Sequence, residues 1–252
     1  MLLQTAEKTG RILYNEEISE GIYRMGIEAP DIAQEAGPGQ FVHILIDDGA
    51  YLLRRPFSIS GVTDGGIELL YKVKGMGTGI MRKMPAGGML DVMGPLGNGF
   101  DVIGGRTAVV GGGIGLAPLV YLTQRLDGDT DVYLGFNDKP FALDCFDGYD
   151  VSIATMTGAC GYRGDVTKLL SEKLRERTYD RIYACGPKAM IKSLKRITDR
   201  LGIPAEASFE ESMGCGLGAC MVCSIMVADG GSRTYKRVCK DGPVFDLDKV
   251  EM

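Results

Sequence analysis

The sequence predicts a multidomain protein of mixed class: an antiparallel β-barrel, a parallel α/β domain, and a small cysteine-rich module with a β-hairpin. Three observations predict it. Up to about Phe100, short apolar runs alternate with Gly and Pro turns, the pattern of a small antiparallel barrel. From Thr107 onward, strands alternate with helical segments, which implies a parallel sheet covered on both faces. Near the end, Cys215, Cys220, Cys223 and Cys239 are separated by four, two and fifteen residues.

Composition narrows the function classes. A chain of 252 residues has room for two compact domains and an appendage. The net charge of −5 gives no electrostatic support for nucleic-acid binding. No apolar run reaches the roughly 20 residues of a membrane span. The start, MLLQTAEKTGRIL, lacks the basic and apolar regions of a secretory signal. A cytoplasmic chain is expected, and there seven cysteines serve metal or redox chemistry better than disulfides. His43 is the single histidine. It lies among apolar residues in QFVHILI and reads as a satisfied strand histidine. A hydrolase is therefore disfavoured, and chemistry residing in cofactors is favoured.

In the first part, strands are expected at Gly10–Asn15, Ile22–Glu28, Gln40–Ile46, Phe57–Val62, Ile67–Lys74 and Met89–Met93. Two places carry chemistry. In Arg54-Arg55-Pro56-Phe57-Ser58, an arginine at a strand start can fork two hydrogen bonds to a phosphate, and the serine can bond a planar ring. In Tyr71–Gly79, glycines admit close backbone approach before a short helix at Ile80–Met84. A solvated strand entry and a plain loop are the alternatives for each alone.

The order of these motifs resembles the flavin-binding barrel of the ferredoxin–NADP reductase superfamily. The resemblance implies FAD, bound by Arg55, Pro56, Phe57 and Ser58, with Arg55 at the pyrophosphate and Ser58 near the isoalloxazine. Leu70, Tyr71 and Lys72 would lie along the cofactor, with Gly77 and Thr78 at the pyrophosphate. Phe57 stands where many members have tyrosine, keeping the ring without the hydroxyl. The segment GPLGNGF closes the barrel, and a polar, Gly-rich stretch at 101–106 marks the boundary. The expected domains are 1–102, 103–206 and 207–252.

The middle part opens with a buried strand at Thr107–Val110, then Gly111–Gly115, then a helix over Leu116–Leu126. Further strands are expected at Asp131–Phe136, Val151–Thr155 and Arg181–Cys185, with helices at Val166–Arg177 and Pro187–Leu201. Gly111 and Gly113 match the first two glycines of a dinucleotide loop, but Leu116 occupies the third place. A tight strand–helix turn is the alternative. GGGIGLAP and Cys185-Gly186-Pro187 both resemble nucleotide-binding segments of the same superfamily. The resemblance implies NAD at Gly111, Gly113 and Gly115, with Cys185, Gly186 and Pro187 next to the nicotinamide. Asp138, at the end of the second strand, would repel a 2′-phosphate, which favours NADH over NADPH although Lys139 adjoins it.

In the last part, a strand at Ile203–Phe209 leads into the cysteine loop, with a hairpin at Ser224–Ala228 and Arg233–Val238. The hairpin brings Cys239 back toward Cys223, so Cys215, Cys220, Cys223 and Cys239 are the expected metal ligands. The four-then-two spacing of the first three is that of a plant-type 2Fe–2S cluster, while the fourth lies much closer to the third than in plant ferredoxins. A zinc site is the alternative, but its usual form is two short cysteine pairs. Cys145 and Cys160 read as packed or loop thiols.

The three parts together, with GPLGNGF and the ending EESMGCGLGACMVCSI…KRVCKDGPVF, resemble the electron transfer subunits of NAD-dependent dihydroorotate dehydrogenase. That resemblance implies a partner subunit carrying FMN that oxidises dihydroorotate in pyrimidine (UMP) biosynthesis, in a heterotetramer of two plus two chains. Electrons would pass from the partner's FMN through the 2Fe–2S cluster and FAD to NAD. No catalytic residue is assigned, and no site for dihydroorotate is evident. The loop Gly214–Cys223 would face the partner. An NAD(P)H–ferredoxin or sulfide-linked reductase subunit is the alternative within this class. A zinc-stabilised binding module is the alternative outside it.

Overall fold

The computed structural model describes residues 7–46 and 53–252. The segment on which the signal-peptide reading rests begins at 1–6, outside the described residues. Strands β1 (Glu7–Ser19), β2 (Ile22–Glu28), β3 (Phe41–Leu45), β4 (Arg55–Thr63), β5 (Gly66–Lys72) and β6 (Met89–Leu96) form a closed barrel in the order β1-β2-β5-β4-β3-β6. Every pairing in it is antiparallel. Alternation explains the interior: Val42 and Ile44 of β3 join Met25, Ile27, Ile59, Leu69 and Val92 in one buried cluster. Closure leaves no barrel edge strand to protect.

Two short helices decorate the barrel. Helix α1 (Pro30–Glu35) starts on a proline and buries Ile32, in a stretch read from sequence as punctuation only. Helix α2 (Met76–Met81) begins four residues before the expected Ile80. Thr78 is the reason. Its hydroxyl accepts from the Lys74 and Gly75 amides and donates to the Gly75 carbonyl, closing the turn earlier.

The second sheet has seven strands. They are β7 (Gly105–Gly112), β8 (Gly128–Phe136), β9 (Asp150–Thr155), β10 (Tyr162–Arg163), β11 (Arg181–Cys185), β12 (Ala205–Ser208) and, near the C-terminus, β15 (Val244–Asp246). Their order is β10-β9-β8-β7-β11-β12-β15. All neighbours are parallel except β12 and β15. The sheet is therefore not wholly parallel, because the end of the chain returns to pair antiparallel at its edge. Helices α3 (Ala117–Thr123), α4 (Val166–Lys173) and α5 (Lys188–Leu201) complete the domain. The expected helix from Leu116 to Leu126 is shorter, and a 3-10 turn at Gly113–Leu116 precedes it. Helix α3 abuts the barrel: Tyr121 joins the barrel core and donates to the Ala36 carbonyl at 2.9 Å.

The last module is a hairpin, β13 (Ser224–Asp229) and β14 (Ser232–Arg237). It is not separate from the sheet. Cys223, Val227, Val238 and Cys239 share a buried cluster with Ala108, Ile182 and Ala207 of the sheet and with Phe41 of the barrel. No helix among the described residues is long and apolar enough to cross a membrane.

Candidate cofactor clefts and cysteine loop

The sheet order sets the first site. Strand order reverses between β7 and β11, so the crevice at their carboxyl ends is a topological switch point, where open α/β sheets take ligands. Both sequence motifs of the middle domain lie there. A cleft of about 710 Å³ is lined by Gly112, Gly113, Gly115, Asp138, Gly186 and Pro187, among others. Of the expected residues, Gly111 and Cys185 are not in its wall. Gly111 belongs to the buried end of β7, and Cys185 is 2% exposed beneath the loop. Burial, helped by the charge of Glu210, pushes the Cys185 thiol far up, so it stays protonated. The Gly-rich loop packs directly on the Cys-Gly-Pro turn. A Cβ at Gly115 would come within 2.7 Å of the Cys185 carbonyl oxygen. Asp138 is fixed by Thr157, whose hydroxyl donates to it at 2.7 Å.

A second cleft, about 280 Å³, opens between the barrel and the sheet. Arg55, Pro56, Phe57, Ser58, Leu70, Tyr71, Lys72 and Thr78 all line it, so the structure gathers eight of the nine expected residues from two strands and a turn. The ninth, Gly77, lies against the Arg55 guanidinium. The two adjacent arginines divide: Arg54 donates to both carboxylate oxygens of Asp91, tying β4 to β6, whereas Arg55 faces the cleft. Phe57 meets Tyr71 edge to face at 5.9 Å, and the Tyr71 hydroxyl donates to Asn15 at 2.9 Å. Desolvation pushes the Tyr71 phenol far above its usual range, so it remains a neutral donor. An apolar slot with a guanidinium at one end and a serine on one wall suits a planar ring carrying a phosphate tail.

The clefts adjoin, because Lys72, Lys74, Ile114 and Glu210 line both. The sequence reading assigned no place in a cleft to Glu210, nor to Phe41, Pro118 and Met213 in the barrel-side wall. A signal existed for Glu210: it follows β12, whose carboxyl end lies at the same edge as those of β7 and β11.

Met213 leads straight from the cleft wall into the cysteine loop. The Leu217 and Ala219 amides donate to Cys215 Sγ at 3.4 and 3.3 Å, and the Cys239 amide donates to Cys223 Sγ at 3.4 Å. Side chains of Cys215 and Cys220 meet, as do those of Cys223 and Cys239. Burial opposes ionisation of Cys215, but the amides of Leu217, Cys220 and Ala219 outweigh it and bring the thiol down to about 6. Cys239 goes the other way, pushed up to about 12 by burial and by Cys223. Among the described residues no three His, Cys, Asp or Glu side chains converge on one metal-ion position. Two thiol pairs, with amides aimed at sulfur, suit a cluster of two irons.

His43 departs from its reading as a satisfied strand residue. It is fully buried, yet neither ring nitrogen completes a hydrogen bond among the described residues. Desolvation, with the Arg54 and Arg55 charges, lowers its pKa to about 4, against a weaker pull from the Arg54 backbone. The remaining cysteines are ordinary: Cys145 accepts from Arg24 at 3.0 Å, and Cys160 is exposed.

Barrel, switch-point sheet and adjoining clefts define the class: a two-domain reductase fold of the ferredoxin–NADP reductase type. A solved ferredoxin–NADP+ reductase from Neisseria gonorrhoeae with bound FAD and NADP superposes with a TM-score of 0.66 at 18% identity, over 80% of this chain and 98% of that one. The NADH-dependent reduced ferredoxin–NADP oxidoreductase, studied for flavin-based electron bifurcation, reaches 0.84 at 27% identity, over 98% of this chain and 91% of that one. Residues 210–251 match the family model described as the iron–sulfur cluster binding domain of dihydroorotate dehydrogenase B. The dihydroorotate dehydrogenase B (NAD(+)) electron transfer subunit of Caldanaerobacter subterraneus subsp. tengcongensis is 38% identical, over 95% of this chain and 96% of that protein. The protein of the same name from Desulforamulus reducens is 41% identical, over 90% and 92%. This chain belongs to the family of electron transfer subunits of NAD-dependent dihydroorotate dehydrogenase B.

Proposed function

We propose that the chain is the electron transfer subunit of an NAD-dependent dihydroorotate dehydrogenase, working beside an FMN-containing catalytic subunit in the cytoplasm. The observation that carries this reading is the adjacency of three sites: two clefts that share a wall, and a cysteine loop that continues from that wall.

Each site is assigned by its residues. Arg55 and Thr78, with Gly77 behind Arg55, hold the FAD phosphates; Phe57, Ser58, Leu70, Tyr71 and Lys72 hold the flavin. Gly113, Gly115, Gly186 and Pro187 seat NAD at the switch point, with Gly111 and Cys185 supporting the loops from beneath and Asp138 meeting the adenosine ribose. Cys215, Cys220, Cys223 and Cys239 hold the 2Fe–2S cluster. These assignments correspond to working regions 1–102, 103–206 and 207–252.

When bound, nicotinamide exchanges a hydride, the cluster one electron, and flavin either, so flavin belongs between them. The chain's own residues orient and insulate. Phe41, Phe57 and Pro118 line the slot with apolar surface and exclude water. Lys72, Lys74 and Glu210, common to both clefts, position the rings against each other. The loop side faces outward: Cys220 is exposed beside Leu217, Met221 and Val222, which are 47, 49 and 58% exposed. An apolar patch over a one-electron centre is a docking face for the catalytic subunit.

The test is co-expression with the FMN-bearing subunit. The complex is expected to carry FAD, iron and sulfide, and to reduce NAD+ when given dihydroorotate. The chain alone is expected to oxidise NADH with artificial acceptors and leave dihydroorotate untouched. Dihydroorotate oxidation by the chain alone overturns the assignment.

A further inference from the structure

Strand β3 carries two side chains on its outer face that are nevertheless buried. Phe41 lines the barrel-side cleft, and His43, two residues on, lies beneath the cysteine loop. The contact is with Gly216, between Cys215 and Leu217. A Cβ at Gly216 would sit 2.4 Å from His43 Nδ1 and 3.0 Å from Cε1. Gly216 also has φ of 69°, so its backbone and its packing both require glycine.

The imidazole has no exposed surface, and both ring nitrogens lack a hydrogen-bond partner among the described residues. An imidazole carries at least one N–H in either protonation state. A buried donor without an acceptor is uncommon in a native protein. On the barrel side Val42 and Ile44 turn inward and the Arg54 guanidinium, which reaches the His43 carbonyl at 3.4 Å, is a donor; the Arg54 backbone pulls weakly on the imidazole but completes no hydrogen bond with it. Gly216 belongs to the segment whose amides already point at Cys215 Sγ. The missing partner is thus an acceptor on the loop side, and sulfur is what the loop gathers.

We propose that His43 donates an imidazole N–H hydrogen bond to a sulfur of the iron–sulfur cluster. The inference rests on the reading of Cys215, Cys220, Cys223 and Cys239 as cluster ligands. It makes β3 a physical link, with one face of a single strand touching the flavin slot through Phe41 and the cluster through His43. A donor to cluster sulfur stabilises the more negative, reduced form and raises the reduction potential. His43 would therefore set how readily the cluster accepts an electron.

The experiment uses the assembled complex. Iron and sulfide are quantified first, and the cluster is then titrated electrochemically and followed by paramagnetic resonance in wild type, His43→Phe and His43→Gln. His43→Phe keeps the ring and removes the donor. At the wild-type midpoint its oxidised-to-reduced ratio is expected to rise about tenfold, a downward shift of about 59 mV for a one-electron couple. His43→Gln restores an N–H and is expected to recover part of the shift. Independently, the wild-type reduced cluster is expected to show a weak nitrogen coupling that changes when histidine is labelled with 15N. Assignment is direct when this chain alone is labelled before assembly, because it has one histidine, and the coupling should vanish in His43→Phe. A His43→Phe complex with wild-type iron and sulfide and a ratio changed less than twofold overturns the proposal. So does a wild-type spectrum insensitive to the label, which decides the matter even if the variant fails to fold. A wild-type complex without iron and sulfide overturns the cluster reading itself, which separates the two failures.

Discussion

Gly115 packs its Cα face on the carbonyl of Cys185, so that any Cβ there would stand 2.7 Å from that oxygen and 2.7 Å from the Gly186 Cα. The two loops at the switch point are thus held against each other by the absence of a side chain. Backbone cannot yield as a flexible side chain can. Gly115→Ala should cost about 1–3 kcal/mol in stability and part the loops where the nicotinamide is proposed to enter. The expected outcome is a several-fold higher KM for NADH with FAD content unchanged. Steady-state kinetics and a flavin spectrum check both, and an unaltered KM contradicts the packing argument.

Glu206 gives a pH dependence whose sign can be worked out. The residue is 8% exposed, and burial raises its carboxyl to about 7, against opposing pulls from the Asp101 amide and Arg181. An unfolded glutamate titrates near 4.3. Between those values the folded state binds more protons than the unfolded state, so stability falls as pH rises through this window and levels above about 7. The size is on the order of 1–3 kcal/mol. Glu206→Gln keeps an acceptor for the Asp101 amide, which lies 3.0 Å from the carboxylate. Thermal midpoints are expected to fall from pH 5 to pH 7.5 in wild type, with that fall reduced in the variant. Parallel curves contradict it.

Much of the architecture was legible because the burial pattern is local. Every expected barrel run coincides with a strand, and Arg181–Cys185 and Ile22–Glu28 match to the residue. What escaped depended on distant partners. Strand β15 has three residues and forms only because Glu206, Ala207 and Ser208 wait opposite it. The hydroxyl of Thr78 moved the start of α2, and a Gly-rich motif does not announce such a cap. The cleft residues on the barrel side follow motifs and were readable, while Glu210 enters through strand order alone. His43 looked ordinary because Gly216, the residue that covers it, belongs to another domain.

Asp138 tests cofactor choice. It lines the sheet-side cleft next to Lys139, and Thr157 orients it. A fixed carboxylate accepts from a ribose hydroxyl and repels a 2′-phosphate. The wild type should prefer NADH to NADPH in kcat/KM, and Asp138→Ser should narrow that preference by about tenfold, which corresponds to about 1.4 kcal/mol. Kinetics with both reduced cofactors measure it. A wild-type preference for NADPH rejects the role.

Cys220 separates the two ends of the proposed relay. It is the exposed member of the four cysteines, and its side chain meets Cys215, whereas Cys223 and Cys239 are buried. Serine there removes one thiolate without opening a cavity, so the barrel and sheet should fold as before. The clefts share no residue with the 215–223 loop; Met213 and Pro243, which flank the cysteine segment, line only the barrel-side cleft. Loss of the cluster should therefore leave flavin binding and NADH oxidation by artificial two-electron acceptors within about twofold of wild type. Electron flow from the FMN subunit should fall by at least about a hundredfold, a barrier of roughly 2.7 kcal/mol or more. Iron analysis, flavin content and the two assays on the Cys220→Ser complex read all of this. Full dihydroorotate-dependent NAD+ reduction in a complex shown to lack iron would mean that electrons bypass the loop, and the outward face of the chain would need another purpose.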